Sequence, residues 1–117
     1  MTSKAIAASL ALKEDQFSVS FQSRLGRLPW LTPYTDQVLE EMPEQGIKDV
    51  VVCCPAFIVD NLETLEEMGM QGRETFLAAG GNSFTLVPCL NDSEVWVSGL
   101  ADLCREHVLK EHPSDAA

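Results

Sequence analysis

The sequence predicts an α/β protein, a three-layer, mainly parallel sheet with flanking helices, on three observations. Val50-Val51-Val52-Cys53-Cys54 is an apolar run without alternation, which suits a strand covered on both faces. The run stops at Pro55, and a carboxylate-rich helical stretch, Asp60 to Glu67, follows it. The same order of short apolar strand, proline, loop and helix returns at Phe84 to Val87, Pro88 and Glu94 to Leu109.

Each element has a local reason. Ser3 to Leu12 is rich in alanine and leucine and reads as a helix, ended by the polar turn Lys13 to Gln16. Phe17-Ser18-Val19-Ser20-Phe21-Gln22 alternates apolar and polar residues, the mark of a strand with one wetter face. Ser23 to Leu31 is a loop with Gly26 and Pro29, unusually apolar for an exposed connection. Thr32 is placed to cap a helix whose first residue is Pro33 and which runs to about Met42, before Pro43. Its apolar positions Tyr34, Val38, Leu39 and Met42 form one stripe for packing on a sheet.

After the strand Asp49 to Cys54, Asp60 and Glu63 have the spacing of a capping box. That helix continues through Leu65 and Met68 and is interrupted at Gly69; another runs from Gly72 to Ala79 and ends at Gly80-Gly81-Asn82. In the last helix Val95, Leu100, Leu103, Cys104 and Val108 are the candidate inward positions, and the tail from Glu111 is expected to fray. The layout is one helix followed by three strand–helix units in a single partial domain over residues 1–117.

At 117 residues the chain forms at most one domain, and its 45% hydrophobic content is too high for general disorder. Eighteen acidic and eight basic residues give a formal net charge of −10, with no cluster of lysine or arginine to collect phosphates. Nucleic acid and anionic membrane are therefore disfavoured as partners. No segment approaches the roughly 20 apolar residues of a membrane span, and Lys4 breaks the N-terminal apolar stretch too early for a signal peptide. A cytoplasmic setting is expected. Cys53, Cys54, Cys89 and Cys104 lack CxxC spacing and read as buried thiols.

Two places carry chemistry. Glu63 and Glu67, four apart, share a helical face close to Asp60 at the end of a strand. Such carboxylates can guide a divalent cation or hold a proton, although capping and solvation of an ordinary acidic helix is the favoured explanation from the residues alone. Leu25, Leu28, Trp30 and Leu31 crowd into seven residues and can line a groove for a flat apolar ligand, with Arg24 and Arg27 available for its carboxylates. No nucleophile elbow, dinucleotide fingerprint or phosphate loop is present.

The runs Val19-Ser20-Phe21-Gln22-Ser23-Arg24-Leu25-Gly26, Pro29-Trp30-Leu31-x-Pro33-x-Thr35-Asp36, Cys54-Pro55-Ala56-Phe57 and Leu62-Glu63-Thr64-Leu65-Glu66-Glu67 together resemble the C-terminal half of a ferrochelatase. Gly80-Gly81 and Leu86-Val87-Pro88-Cys89-Leu90-Asn91 fit the bacterial branch of that family, and the resemblance covers about residues 3–109. It implies insertion of Fe²⁺, as a substrate, into protoporphyrin IX or coproporphyrin with release of two protons, and no tightly bound cofactor. On the matching positions Glu63 corresponds to the active-site acid. Glu67 and Asp60 extend an acidic path along which metal could be handled. Ser23, Leu25, Leu28, Trp30 and Leu31 fall on the porphyrin-binding lip.

The chain departs from the family pattern at two points. Asn61 stands where some members have histidine, and the catalytic histidine of a Ser-Phe-His-Gly motif lies upstream of anything here. The expectation is a chelatase-like half domain lacking its first strand. Since an unpaired buried backbone group costs about 1–3 kcal/mol, the missing N-terminal chelatase half or self-association through strand edges should repair the sheet. The alternative is a noncatalytic porphyrin-binding or oligomerisation module.

Overall fold

The computed structural model describes residues 2–22 and 28–111. Helix α1 spans Thr2–Ser9, a single 3₁₀ turn covers Glu14–Gln16, and α2 spans Thr35–Glu41. Strand β1 (Asp49–Val52) leads into a π-helix, Glu63–Gly72, which continues without interruption into α3 (Arg73–Ala78). Strand β2 (Ser83–Leu86) and α4 (Glu94–Glu111) complete the order.

The α/β class holds on a smaller scale than the sequence suggests. β1 and β2 form a two-stranded parallel sheet, with Val50 opposite Phe84 and Val52 opposite Leu86. Parallel strands need a long crossover, and here the π-helix and α3 provide it. The alternating segment Phe17 to Gln22 is not a strand; it makes one isolated parallel bridge, Phe21 to Tyr34. That bridge explains why α2 starts late. Phe21 N–H donates to the Pro33 carbonyl at 2.9 Å and Thr35 N–H to the Phe21 carbonyl at 3.1 Å, so the chain is still extended at Tyr34, and the helix opens at Thr35 with Tyr34, not Thr32, at its N-cap position.

The core lies on one face of the sheet. Leu39 of α2, Met68 of the π-helix, Phe76 of α3 and Phe84 of β2 are buried together, with Val50, Val52, Cys54 and Leu86 packed against them. Side chains of a strand alternate in direction, so Val51 and Cys53 face the other way. Val51 is 74% exposed. The apolar run of β1 is thus covered on one face, not both.

Gly69 does not break the helix. A side chain there would meet Leu86 Cδ2 at 3.2 Å, so the glycine lets the π-helix lie close against β2. Gly81 is more constrained still. It follows Gly80, whose φ of +104° turns the chain, and any Cβ at Gly81 would run into the ring of fully buried Phe76. Gly81→Ala should therefore cost about 1–3 kcal/mol by overpacking, read as a lowered urea midpoint with unchanged slope. A midpoint equal to that of the wild type would show that the Phe76 ring can move aside.

The C-terminal helix brings the largest departure. α4 has no buried residue: Val95 is 87% exposed, and Leu100, Leu103, Cys104 and Val108 are also exposed. Accessible surface totals 9086 Å², about 2,800 Å² above the roughly 6,300 Å² expected for a compact monomer of this mass. Exposed large apolar side chains among the described residues include Val95, Val97, Leu100, Leu103 and Val108 of α4 and Val51 of β1. No helix among the described residues is long and apolar enough to cross a membrane. Of the predicted frayed tail, Glu111 closes α4, and the rest lies outside the described residues.

Candidate active site

The acids singled out from the sequence follow β1 in the chain: Asp60 stands just before the π-helix, Glu63 opens it and Glu67 lies near its middle. Asn61 precedes the first helical residue and caps the helix: its Oδ1 accepts from Glu63 N–H at 2.8 Å and from Thr64 N–H at 3.3 Å. Thr64 Oγ1 reaches back to accept from Asn61 N–H at 2.9 Å. This is a capping box one residue later than predicted, with asparagine and threonine in place of Asp60 and Glu63. The cap is thus made by Asn61 and Thr64. Glu63 sits half-buried on the first turn, where a negative charge also suits the helix dipole.

The helical winding then changes. Leu65 N–H still donates to the Asn61 carbonyl at 2.9 Å in the α pattern, whereas by Arg73 the N–H reaches back to the Met68 carbonyl. A π-helix has i→i+5 bonds and a wider turn, and short stretches of it concentrate at functional sites. Residues four apart stay on one face, so the widening keeps Glu63 and Glu67 neighbours. Glu67 Oε2 accepts from Gln22 Nε2 at 3.1 Å, which ties the middle of the π-helix to the segment just after the Phe21 bridge.

Behind this contact is a cavity of about 100 Å³ between the π-helix and α2, lined by Gln22, Thr35, Asp36, Leu39, Glu67 and Gln71 among others. It holds a few waters at most. Small-molecule pockets run to about 300–1,000 Å³, so a tetrapyrrole does not fit it.

Asp60 has a different place from the one predicted. Its Oδ1 accepts from Thr64 Oγ1 at 3.0 Å and Cys89 N–H at 3.3 Å, and its Oδ2 accepts from Asn91 Nδ2 at 3.0 Å. Hydrogen bonds from Asn91 first, then Cys89 and Thr64, hold its carboxyl below the ordinary carboxylate range. Among the described residues no group of three or more histidine, cysteine, aspartate or glutamate side chains is arranged to hold a metal ion. Asp60, Glu63 and Glu67 are therefore not gathered into one ligand set.

The depressed Asp60 carboxyl has a consequence for stability. A group whose folded value is lower than its unfolded one, near 3.9, contributes stability above that pH, and the contribution disappears as pH falls through the folded value. Between pH 6 and pH 3 the wild-type chain should lose more stability than Asp60→Asn, compared by urea unfolding. Parallel pH curves for the two proteins would remove Asp60 from the account.

All four cysteines are free. Cys53 and Cys104 are exposed, contrary to the buried-thiol expectation, and Cys54 and Cys89 are half-buried. Burial, reinforced by the Asp60 charge, pushes the Cys54 and Cys89 thiols up, so both stay protonated at neutral pH and neither is a ready metal ligand or nucleophile. Trp30 is half-buried while Leu28, at 78%, and Leu31 are exposed, a lip open to solvent. Ser23 and Leu25 of the same lip, with Arg24 and Arg27, lie outside the described residues.

Gln22, Thr64 and Asn91 are the site residues that sequence reasoning missed. Thr64, three residues after Asn61, was a readable capping signal. Nothing local marks Gln22 or Asn91, whose partners are 45 and 31 positions away.

The ferrochelatase family model matches residues 1–108. The chain is 53% identical over 102 residues to the ferrochelatase of Pseudomonas paraeruginosa and 54% identical over 103 residues to that of Stutzerimonas stutzeri, covering 87% and 88% of this chain. The Azotobacter vinelandii ferrochelatase is 52% identical over 104 residues, 89% of this chain. In each case the match spans only about 30% of the relative's length. By the family match and these identities, the chain belongs to the ferrochelatase family.

Proposed function

We propose that this chain forms the acid-bearing wall of a porphyrin-metalating site, in the cytoplasm, and that it does not catalyse alone. The observation that carries the reading is the π-helix that sets half-buried Glu63 and tethered Glu67 on one face at the end of a parallel strand. Metalation exchanges two pyrrole N–H protons for one Fe²⁺, so two protons must leave the ring as the metal enters. A positioned carboxylate that accepts them is worth roughly 10²- to 10⁴-fold in rate. Glu63 fits that role, and Glu67 offers the next carboxylate for a proton or an arriving cation. The lip of Leu28, Trp30 and Leu31 supplies flat apolar area for the macrocycle.

The second wall comes from elsewhere. A distorted porphyrin must be held against a metal by groups at fixed distance, and the cavity of about 100 Å³ is too small to do it. The remainder of a chelatase-length polypeptide is the partner we assign to the open face of β1 and to α4, which would complete a three-layer sheet. An excess of about 2,800 Å² over a compact monomer is of the size that stable interfaces bury. Self-association through strand edges is the competing occupant, and it underlies a second reading, a noncatalytic porphyrin-binding or oligomerisation module.

Titration of the isolated chain with protoporphyrin IX tests the lip. A Soret shift is expected, weakened about tenfold or more in Leu28→Ala/Trp30→Ala through lost apolar contact. Stable assembly of the chain with no Soret change would instead favour the scaffold reading.

A further inference from the structure

We propose that Asn91 is a positioning residue for this site: acting through Asp60, its side chain holds the first turn of the π-helix, and with it Glu63, against the end of the sheet. The proposal rests on Glu63 as the active-site acid. Its ground is a continuous set of hydrogen bonds that reaches Glu63 from the loop after β2.

Asn91 grips the segment before the π-helix at three points. Its Oδ1 accepts from Asp60 N–H at 2.9 Å, its Nδ2 donates to Asp60 Oδ2 at 3.0 Å, and its own N–H donates to the Ile58 carbonyl at 2.8 Å. One short side chain must donate and accept at once, which a carboxamide does and a carboxylate does not. The backbone of Asn91 has φ of +50°, a left-handed conformation that asparagine tolerates better than most residues. Both the conformation and the bonding therefore call for the same residue.

Asp60 carries the restraint onward. Its Oδ1 accepts from Thr64 Oγ1 at 3.0 Å, Thr64 Oγ1 accepts from Asn61 N–H at 2.9 Å, and Asn61 Oδ1 accepts from Glu63 N–H at 2.8 Å. Thr64 is 1% exposed, so water cannot readily replace a lost partner in the middle of the chain. Four hydrogen bonds thus connect Asn91 to the backbone of Glu63.

The test uses the ¹⁵N-labelled 117-residue chain and two variants. Asn91→Gly deletes the side chain but accepts the positive φ. Asp60→Asn/Asn91→Asp exchanges carboxamide and carboxylate, so the side-chain bond between the two residues can re-form with its polarity reversed while the backbone N–H of residue 60 still finds an acceptor at residue 91. In Asn91→Gly, amide exchange at Asn61, Glu63 and Thr64 should accelerate about tenfold or more while Phe76 and Phe84 amides keep their protection. The double variant should restore it. Unchanged exchange at residues 61–64 in Asn91→Gly would overturn the proposal. So would uniform acceleration that the double variant fails to reverse, since that marks Asn91 as a general fold residue.

Paramagnetic broadening by Co²⁺ alone adds a readout that loss of stability would not produce. In the wild type it should centre on the Glu63 and Glu67 side chains, and in Asn91→Gly the Glu63 component should fall several-fold relative to Glu67, returning in the double variant. A Glu63-to-Glu67 ratio unchanged in Asn91→Gly would overturn the positioning role. No broadening at Glu63 in the wild type would defeat the acid reading instead, and the exchange result then decides the clamp on its own.

Discussion

Glu63→Gln should lower the rate of metal insertion by roughly 10²- to 10⁴-fold, the range for loss of a positioned general acid–base. The measurement requires a complete cleft. One is obtained by exchanging this chain for the matching segment of the Pseudomonas paraeruginosa ferrochelatase, 53% identical over 102 residues. Zinc insertion into protoporphyrin, followed by fluorescence, then reports on the residue. The loss should fall on kcat more than on KM, because Glu63 is assigned to proton movement and the Leu28–Trp30 lip to binding. Glu67→Gln should cost less, as Glu67 is held by Gln22 and stands one turn further along. The isolated 117-residue chain should show only background insertion. A Glu63→Gln chimera within twofold of its parent would end the acid assignment, and ordinary turnover by the isolated chain would end the claim that a second wall is needed.

Phe76→Ala should abolish cooperative folding of the isolated chain. Phe76 is the largest fully buried side chain, at 0% exposure, and its ring lies 6.1 Å from that of Phe84 at a tilt of 50°. Truncating a buried phenylalanine costs about 3–5 kcal/mol, and loss of a tilted aromatic pair is part of that cost. Globular domains hold about 5–15 kcal/mol in total. With a buried core cluster of four residues among those described, the chain belongs near the lower limit, so little remains after the substitution. Near-UV circular dichroism and urea unfolding read the outcome, with Leu62→Ala, at a site 75% exposed, as a control expected within about 0.5 kcal/mol of wild type. A Phe76→Ala protein unfolding within 1 kcal/mol of wild type would mean that the core lies elsewhere.

Both predictions depend on features of unequal legibility in the sequence. The β1 run, the proline that ends it and the acids that follow were readable because strand and helix periods differ and because proline cannot continue a ladder. Position along the chain was enough to place Asp60 and Glu63 at the start of the helix that follows β1. The capping box was misassigned because Asp60 and Asn61 are adjacent and equally good caps. Asp60 is drawn off by Asn91 and Cys89, partners that only the fold brings within reach. The π-winding was illegible for a related reason. Over ten residues its apolar pattern is hard to tell from that of an α-helix, and Gly69 read as a breaker when it is a contact with Leu86.

Extent of burial was the least legible property. Val51 and the apolar positions of α4 carry the same hydrophobic signal as residues in the core, yet they are exposed. A periodic pattern states which side of an element seeks cover, and it does not state what covers it. From the sequence alone came the α/β class, the order of strand, acidic helix and strand, the family resemblance and the location of the candidate acid. The tertiary structure alone decided the two-stranded sheet, the Asn61 cap, the engagement of Asp60 by Asn91 and the pairing of Glu67 with Gln22. The division follows from range. Propensity and periodicity act between near neighbours in the chain, whereas the bonds that set the site join residues 31 and 45 positions apart.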